Sequence, residues 1–455
     1  MQHHFHPSIL REYDIRGTVG RTLGPEDARA VGQGFGSIVR RGGGRQVAVG
    51  RDGRRSSPAL EAALIEGLVA AGIEVVRIGL GPSPMLYHAE RSLKVDGGIH
   101  VTGSHNPADD NGFKIVLGHR PFFGADITAL AALVARGDVE SGTGQVTEAN
   151  VLADYVARLV EGPPLPPFRI GWDAGNGAAG PAVERLVQLL PGEHHLLFTD
   201  VDGDFPNHHP DPTEEANLAH LRTLVAEESL NFGVAFDGDG DRIGAIDAHG
   251  RVVAGDQLLA ILAEPALRAQ PGAAIVADVK ASATLFDRIA ELGGRPVMWK
   301  SGHSNIKTMM HEVGAPLAGE MSGHLFFAEL GGHDDALYAA VQLIRAVGAS
   351  GGSLADLRDA MPDVVATPEL RFAVDEPRKT AVVEEVLARL TAEGASVDRT
   401  DGARVTTADG WWLLRASNTQ AMLTARAEAR DPAALDRLVE TIDAQLAASG
   451  VVRAR

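Results

Sequence analysis

Short apolar runs alternate with helical stretches along most of the chain, and this rhythm constrains the fold before any motif is read. From Arg45 an apolar run at Gln46 to Gly50 leads to a helical stretch from Pro58 to Ala71, then to runs at Ile73 to Ile78 and Gly97 to Val101. That order predicts an α/β unit with a largely parallel sheet. The Pro-rich stretch Gly162 to Pro167 follows a helix around Val151 to Val160 and precedes a strand at Phe168 to Trp172, which puts a boundary near residue 150. A second unit runs to about Arg251, and a third carries strands at Ala273 to Val279, Pro296 to Trp299 and Leu325 to Glu329. Beyond about Ala366 the pattern changes to a strand at Glu369 to Val374, a helix at Arg378 to Leu390, strands around Trp412 and Thr424, and a closing helix. The expected architecture is therefore three similar α/β domains with mixed, largely parallel sheets, 1–149, 150–251 and 252–365, plus a C-terminal α+β domain over 366–455. The likeness of the first three rests on element order alone, since no sequence period is visible.

Bulk properties narrow the function. A chain of 455 residues is long for one hydrophobic core, which agrees with several domains. A formal net charge of -18 argues against nucleic acid as a partner, so an anionic substrate would need locally concentrated Lys and Arg. With no Cys, disulfides, thiolate metal sites and Cys nucleophiles are excluded. No secretory leader or long apolar span is visible, so a cytoplasmic protein without a membrane partner is expected. The early cluster His3, His4 and His6 reads as a loose terminus.

Four loops carry the chemistry. Thr102, Gly103, Ser104, His105, Asn106 and Pro107 follow an apolar strand, where open α/β sheets hold their ligands, so Ser104 is placed as a nucleophile would be. The same residues also make an ordinary turn. Asp237, Gly238, Asp239, Gly240, Asp241 and Arg242 lie between strands at Asn231 to Phe236 and Ile243 to Ile246. Three carboxylates on alternate residues of a flexible loop can converge on one hard cation. The EF-hand alternative fails, because Arg242 stands where Gly is needed and Ala248 where Glu is needed. Gly319, Glu320, Met321, Ser322, Gly323 and His324 offer an acceptor, a hydroxyl and an imidazole suited to sugar hydroxyls. Arg415, Ala416, Ser417, Asn418 and Thr419 join one cation to several neutral donors, a composition suited to a phosphate dianion.

Together these loops resemble those of the α-D-phosphohexomutases, within them the bacterial phosphomannomutase/phosphoglucomutase group. The resemblance also covers Glu12, Tyr13, Asp14, Ile15, Arg16 and Gly17, and Lys300 to His303, in the right order along nearly the whole chain. One departure is Ala421, where related chains often have Pro after the phosphate loop. The resemblance implies four domains around a central cleft, the last TATA-binding-protein-like, each giving one loop. It further implies that phosphorylated Ser104 exchanges its phosphoryl with a hexose phosphate through a 1,6-bisphosphate, with glucose 1,6-bisphosphate as activator. One Mg2+ would be held by Asp237, Asp239, Asp241 and a phosphoserine oxygen on Ser104. Arg242 and Lys114 would add charge, and Arg16, His105, Lys114 and His324 form the pool for proton transfer and hydroxyl orientation. Tyr13, Glu320, Ser322 and His324 would meet the sugar. Lys300, His303, Arg415, Ser417, Asn418 and Thr419 would hold the phosphate that is not reacting. The partners implied are glucose and mannose 1- and 6-phosphates, on a monomeric enzyme.

Three alternatives stand beside this reading. Gly175, Asn176, Gly177, Ala178, Ala179 and Gly180 satisfy GxGxxG after a strand, as in a dehydrogenase, but that reading leaves the aspartate loop without a use. A non-catalytic sugar-phosphate sensor could keep the phosphate and sugar loops, yet would not need the serine and three aspartates. A phosphoglucosamine mutase usually has Gln where Met321 stands.

Overall fold

The computed structural model describes residues 2–417 and 421–453. Its first sheet has seven strands in the order Ile15–Thr18, Asp110–Leu117, Gly97–Val101, Gln46–Arg51, Glu74–Leu80 and Val146–Glu148, with Arg120–Pro121 paired to Asp110–Leu117. Gly97–Val101 and the strands beyond it run parallel, whereas Asp110–Leu117 is antiparallel to both its main neighbours. All of Gly97–Val101 is buried, His100 included, as a central strand covered on both faces requires.

The second sheet, in the order Val252–Val253, Ile243–Asp247, Phe232–Phe236, Phe168–Asp173 and Gly192–Leu197, repeats this plan. So does the third, in the order Arg295–Trp299, Ala274–Asp278, Leu317–Gly319, Leu325–Phe327 and His333–Asp334. In each sheet a parallel strand is followed by a short connection into an antiparallel neighbour: Gly97–Val101 into Asp110–Leu117, Phe232–Phe236 into Ile243–Asp247, and Leu317–Gly319 into Leu325–Phe327. The serine, aspartate and sugar loops are those three connections. They occupy equivalent places in three sheets, a repeat carried by strand order rather than by residue identity.

The fourth sheet is antiparallel throughout, with Met422–Ala429 and Gly410–Ala416 at its centre. Helices Glu376–Ala392 and Pro432–Ala447 pack on it through Val382, Val386, Leu438 and Ile442, around a fully buried Trp412. This core is private to the C-terminal unit, and a second private core lies around Phe35, Leu64 and Ile99 in the first. A larger core joins the first three units, running from Leu86 through Tyr155 and Trp172 to Leu259 and Tyr338. Truncating the fully buried Trp172 to Ala would cost about 3–5 kcal/mol.

Two expectations need correction. Residues 328–330 form a 3-10 turn instead of extending the strand Leu325–Phe327, because Gly331 and Gly332 follow at positive φ. Two of the three terminal histidines are tied down, with His3 Nε2 2.8 Å from Asp27 Oδ1 and His6 capping Pro7–Ile9, while His4 is exposed. Among the described residues no helix is long and apolar enough to cross a membrane.

Candidate functional site

The serine loop leaves its strand with Ser104 at φ +49°, a left-handed conformation that costs a non-glycine residue about 1–3 kcal/mol and needs outside support. Support comes from two arginines. Arg54, buried after the strand Gln46–Arg51, donates through Nη2 to the carbonyls of Ser104 and Asn106, both at 2.6 Å. Its Nη1 donates to Asp110 O at 3.0 Å and also to Pro107 O. Arg16 donates to Gly103 O at 2.9 Å and Asn106 Oδ1 at 3.0 Å, and pairs with Asp14 at 2.6 Å. Asp52 completes the frame by accepting from Gly103 N at 3.0 Å. The Ser104 hydroxyl, thus held, donates to Asp237 Oδ2 at 2.7 Å and lies 3.3 Å from His105 Nδ1.

The aspartate loop abuts this serine so closely that a Cβ on Gly238 would collide with the Ser104 carbonyl. Asp237 Oδ1 accepts from the backbone N–H groups of Asp241 and Arg242 at 3.1 and 3.2 Å. Burial, reinforced by Asp239 and Asp241, pushes the Asp237 carboxyl well above the usual range. Burial also opposes ionisation of Asp239, but the Lys114 ammonium 2.7 Å away holds it well below the usual range. Lys114 also contacts Asp241, and the two carboxylates keep it charged against the cost of burial.

One ligand oxygen from each of Asp237, Asp239 and Asp241 falls within 4.8 Å of the others. Asp239 Oδ1 and Asp241 Oδ1 are buried without a hydrogen-bond partner among the described residues. Orphaned anionic oxygens of this kind, in an all-oxygen set, fit a hard divalent cation.

The sugar loop joins on the other side, where Arg242 and His324 form an isolated antiparallel bridge and Ile243 N donates to Gly323 O at 3.1 Å. Arg242 Nε donates to His324 Nε2 at 3.0 Å, which leaves the imidazole proton on Nδ1, 2.9 Å from Asp334 Oδ2. Asp334 is held in turn by Lys307 at 2.6 Å. Glu320, pushed up by burial, accepts from Gly302 N at 2.7 Å and so fixes the turn after Lys300.

That turn is bound from two further directions. Tyr13 OH donates to Ser301 O at 2.7 Å, and Asp401 accepts from both Ser301 N at 3.1 Å and Arg415 Nε at 2.9 Å. Arg415 is buried, and its Nη2 has no hydrogen-bond partner among the described residues. A cation held with unspent donors is what a phosphate anchor requires.

The structure thus brings together Tyr13, Arg16, Ser104, His105, Lys114, Asp237, Asp239, Asp241, Arg242, His303, Glu320, His324 and Arg415. His303 lies 5.8 Å ring to ring from both Tyr13 and His324. Desolvation first, then nearby cations, push both His105 and His303 well below the ordinary imidazole range. Exposed Lys300 follows the strand Arg295–Trp299, and half-buried Ser322 sits in the sugar loop. Ser417, whose carbonyl accepts from Lys379 Nζ at 2.7 Å, marks the start of the phosphate loop. Asn418 and Thr419 lie outside the described residues.

Sequence reasoning missed Asp52, Arg54, Asp278, Lys307, Asp334 and Asp401. Asp52 and Arg54 had a signal, since they follow a parallel strand at its carboxyl end. Asp278, which accepts from Ser301 Oγ at 2.7 Å and Met321 N at 3.2 Å, closes a parallel strand in the same way. The GxGxxG stretch has a structural use. Ala178 N donates to Gly238 O at 2.9 Å, buttressing the aspartate loop, and Gly180 lets the next helix start against the Thr199 carbonyl.

Comparison with known proteins agrees with this arrangement. Residues 7–139, 153–250 and 254–364 match the family models for phosphoglucomutase/phosphomannomutase alpha/beta/alpha domains I, II and III, and 369–445 match the C-terminal domain. A phosphomannomutase/phosphoglucomutase of Pseudomonas aeruginosa is 41% identical over 443 residues, 97% of this chain and 96% of that one. A phosphoglucomutase of Neisseria gonorrhoeae is 40% identical over 436 residues, covering 94% and 95% of the two chains. The crystal structure of a phosphoglucomutase/phosphomannomutase family protein from Burkholderia thailandensis superimposes with a TM-score of 0.92 at 41% identity, covering 98% of each chain. Fold and sequence together make this chain an isomerase that works by phosphoryl transfer, a phosphohexomutase. Within that class it belongs to the phosphoglucomutase/phosphomannomutase family of the α-D-phosphohexomutase superfamily.

Proposed function

We propose that the chain interconverts the 1- and 6-phosphates of glucose and of mannose, with Ser104 as the phosphoryl carrier. The observation that carries this reading is the 2.7 Å approach of Ser104 Oγ to Asp237 Oδ2, beside two unpartnered carboxylate oxygens. Asp237, Asp239, Asp241 and an oxygen of phosphorylated Ser104 would hold Mg2+, which when bound acts as a Lewis acid on the moving phosphoryl.

The chain's own residues do the positioning on which phosphoryl transfer depends. Arg54 and Arg16 fix the serine loop so that the Ser104 oxygen–phosphorus bond lies in line with the incoming sugar hydroxyl. As that bond breaks, a bond from the hydroxyl oxygen to phosphorus forms, and the hydroxyl proton passes to a base. Within the pool of His105, Lys114, His324 and Arg16, Lys114 is held as a cation by Asp239 and Asp241, His324 Nε2 already accepts from Arg242, and Arg16 stays a guanidinium, so these three orient the hydroxyl instead. The fourth, His105, whose Nδ1 lies 3.3 Å from the serine oxygen, is within reach of the proton. Arg242 adds positive charge beside the transferring group.

The hexose 1,6-bisphosphate then turns over and returns its other phosphoryl to Ser104, regenerating the enzyme; glucose 1,6-bisphosphate added from outside restores lost phosphoserine. Lys300, His303, Arg415, Ser417, Asn418 and Thr419 hold the phosphate at rest, and Tyr13, Glu320, Ser322 and His324 face the sugar. Both orientations must fit one site. Hydroxyls 3 and 4 roughly exchange places when the ring turns, whereas hydroxyl 2 does not. A site with no obligatory partner for hydroxyl 2 accepts both glucose and mannose. Met321 supplies no side-chain donor or acceptor of the amide kind at the sugar loop.

We further read the chain as four units divided at 149/150, 251/252 and 365/366, acting as a monomer in the cytoplasm. A coupled assay on glucose, mannose and glucosamine 1-phosphates tests the activity. Comparable efficiency on the first two and little on the third supports it. A preference between glucose and mannose above about 10⁴ would require a buried partner for hydroxyl 2 and would overturn the dual specificity. No turnover of any of the three would leave a binding protein.

A further inference from the structure

A cavity of about 260 Å³ lies between the helix Ser83–Ser92, the helix Leu152–Val160 and the segment 329–335. Two aromatic pairs line it. Tyr87 and His333 stack at 4.5 Å with planes 15° apart, and His88 lies 5.8 Å from Tyr155. None of the residues assigned above to phosphoryl transfer lines it, although Asp334 stands between the cavity and His324.

The polar groups of the wall differ in whether they have a charged or hydrogen-bonding partner. Of its carboxylates, Asp334 is ion-paired with Lys307 and His324, although neither of its oxygens has a hydrogen-bond partner among the described residues, while Asp335 accepts from Tyr155 OH at 3.0 Å and Tyr338 N at 2.9 Å, and Glu329 from Tyr338 OH. By contrast His333 is only 4% exposed, and neither of its ring nitrogens has a hydrogen-bond partner among the described residues. His88 Nε2 is buried and equally without one. Arg91, which is exposed, makes one long hydrogen bond of 3.4 Å, to Gly331 O, among the described residues. Buried polar groups in native proteins are satisfied by protein, water or ligand, so these nitrogens point to an occupant. The side formed by His88, Arg91 and His333 is rich in potential donors and carries one cation, which selects an acceptor with negative charge. Aromatic walls select a flat body that can lie against ring faces.

We infer that this cavity is a second binding site, for a small planar organic carboxylate seated between the two aromatic pairs, its charge toward Arg91 and the His88 and His333 nitrogens. Such a ligand would lie against Asp334, one residue away from the catalytic imidazole.

Benzoate is the probe, followed by saturation-transfer NMR on the full chain with excess glucose 1-phosphate present. The expected result is binding that survives the sugar phosphate and weakens about tenfold in Arg91→Gln, as loss of one charge-assisted hydrogen bond implies. His333→Phe keeps a ring against Tyr87 but removes both nitrogens, and is expected to weaken benzoate as well. Displacement by glucose 1-phosphate would assign the signal to the phosphoryl-transfer site and overturn the proposal. Unchanged affinity in both variants, or no binding, would overturn it too. Cyclohexanecarboxylate or inorganic phosphate binding as well as benzoate would overturn the planar class.

Discussion

Ser104 and Asp237, separated by 133 positions in the chain, meet through a hydrogen bond of 2.7 Å that joins the first sheet's loop to the second's. Ser104→Ala removes the phosphoryl carrier and is expected to lower turnover by about 10⁴-fold or more, even with glucose 1,6-bisphosphate supplied. Intact mass and peptide mapping of the wild type should find the phosphoryl on this residue. Wild-type turnover in the variant would sink the mechanism.

Chelation should abolish activity, and Mg2+ should restore it best, because the three aspartates offer only hard oxygen ligands. Asp239→Asn is expected to weaken metal binding, measured by calorimetry, together with turnover. Full activity of metal-free protein would show that the acidic loop has another purpose.

Arg54 reaches four carbonyls of the serine loop, those of Ser104, Asn106, Pro107 and Asp110, a pattern no lysine can reproduce. Arg54→Lys should misplace the serine by a fraction of an ångström to an ångström and lower kcat by about 10²-fold, with little change in KM for glucose 1-phosphate. The reverse pattern, a raised KM at constant kcat, would show that Arg54 acts on sugar binding instead.

Arg415→Ala should raise KM for glucose 1-phosphate by about tenfold to a hundredfold, the equivalent of one charge-assisted contact. Asp401→Asn, which disturbs the arginine without removing it, should give a smaller rise. An unchanged KM in Arg415→Ala would place the phosphate anchor elsewhere.

Asp335 is raised to about 7 by burial, against the opposing hydrogen bonds from Tyr338 N and Tyr155 OH. A carboxyl with a folded pKa above its unfolded value of about 3.9 binds more protons when folded, so its contribution to stability falls as pH rises between those values. Below that window the term has no effect, and above it the loss is complete. Asp335→Asn cannot ionise and can still accept from Tyr338 N. Relative to wild type it should gain about 1.4 kcal/mol for each pH unit crossed inside the window, read from urea denaturation. A constant gap from pH 4.5 to 7.5 would contradict this.

Much of the site was legible in the sequence because its residues advertise themselves. Three alternating aspartates between two strands, or a serine after a run that proved to be Gly97–Val101, are local patterns with local meaning. The second tier was hidden because its partners are backbone atoms or lie far off in sequence. Arg54 binds carbonyls about fifty residues on, and Asp401 links Ser301 to Arg415, a pairing that no period or composition reports. Strand order was likewise only partly legible. Runs such as Leu317–Gly319 are three residues long and gain their strand character from pairing with Ala274–Asp278 and Leu325–Phe327.

The private cores at the two ends of the chain carry a consequence for refolding. The first and fourth units can each bury their own apolar side chains from local sequence, while Ser104 must find Asp237, and Ser301 must find Asp401, across long loops that close at an entropic cost. After dilution from denaturant, secondary structure should therefore return well before catalysis does. Species that have regained their circular dichroism but not their turnover will expose the unjoined faces of the large shared core, and will be the ones most prone to aggregate.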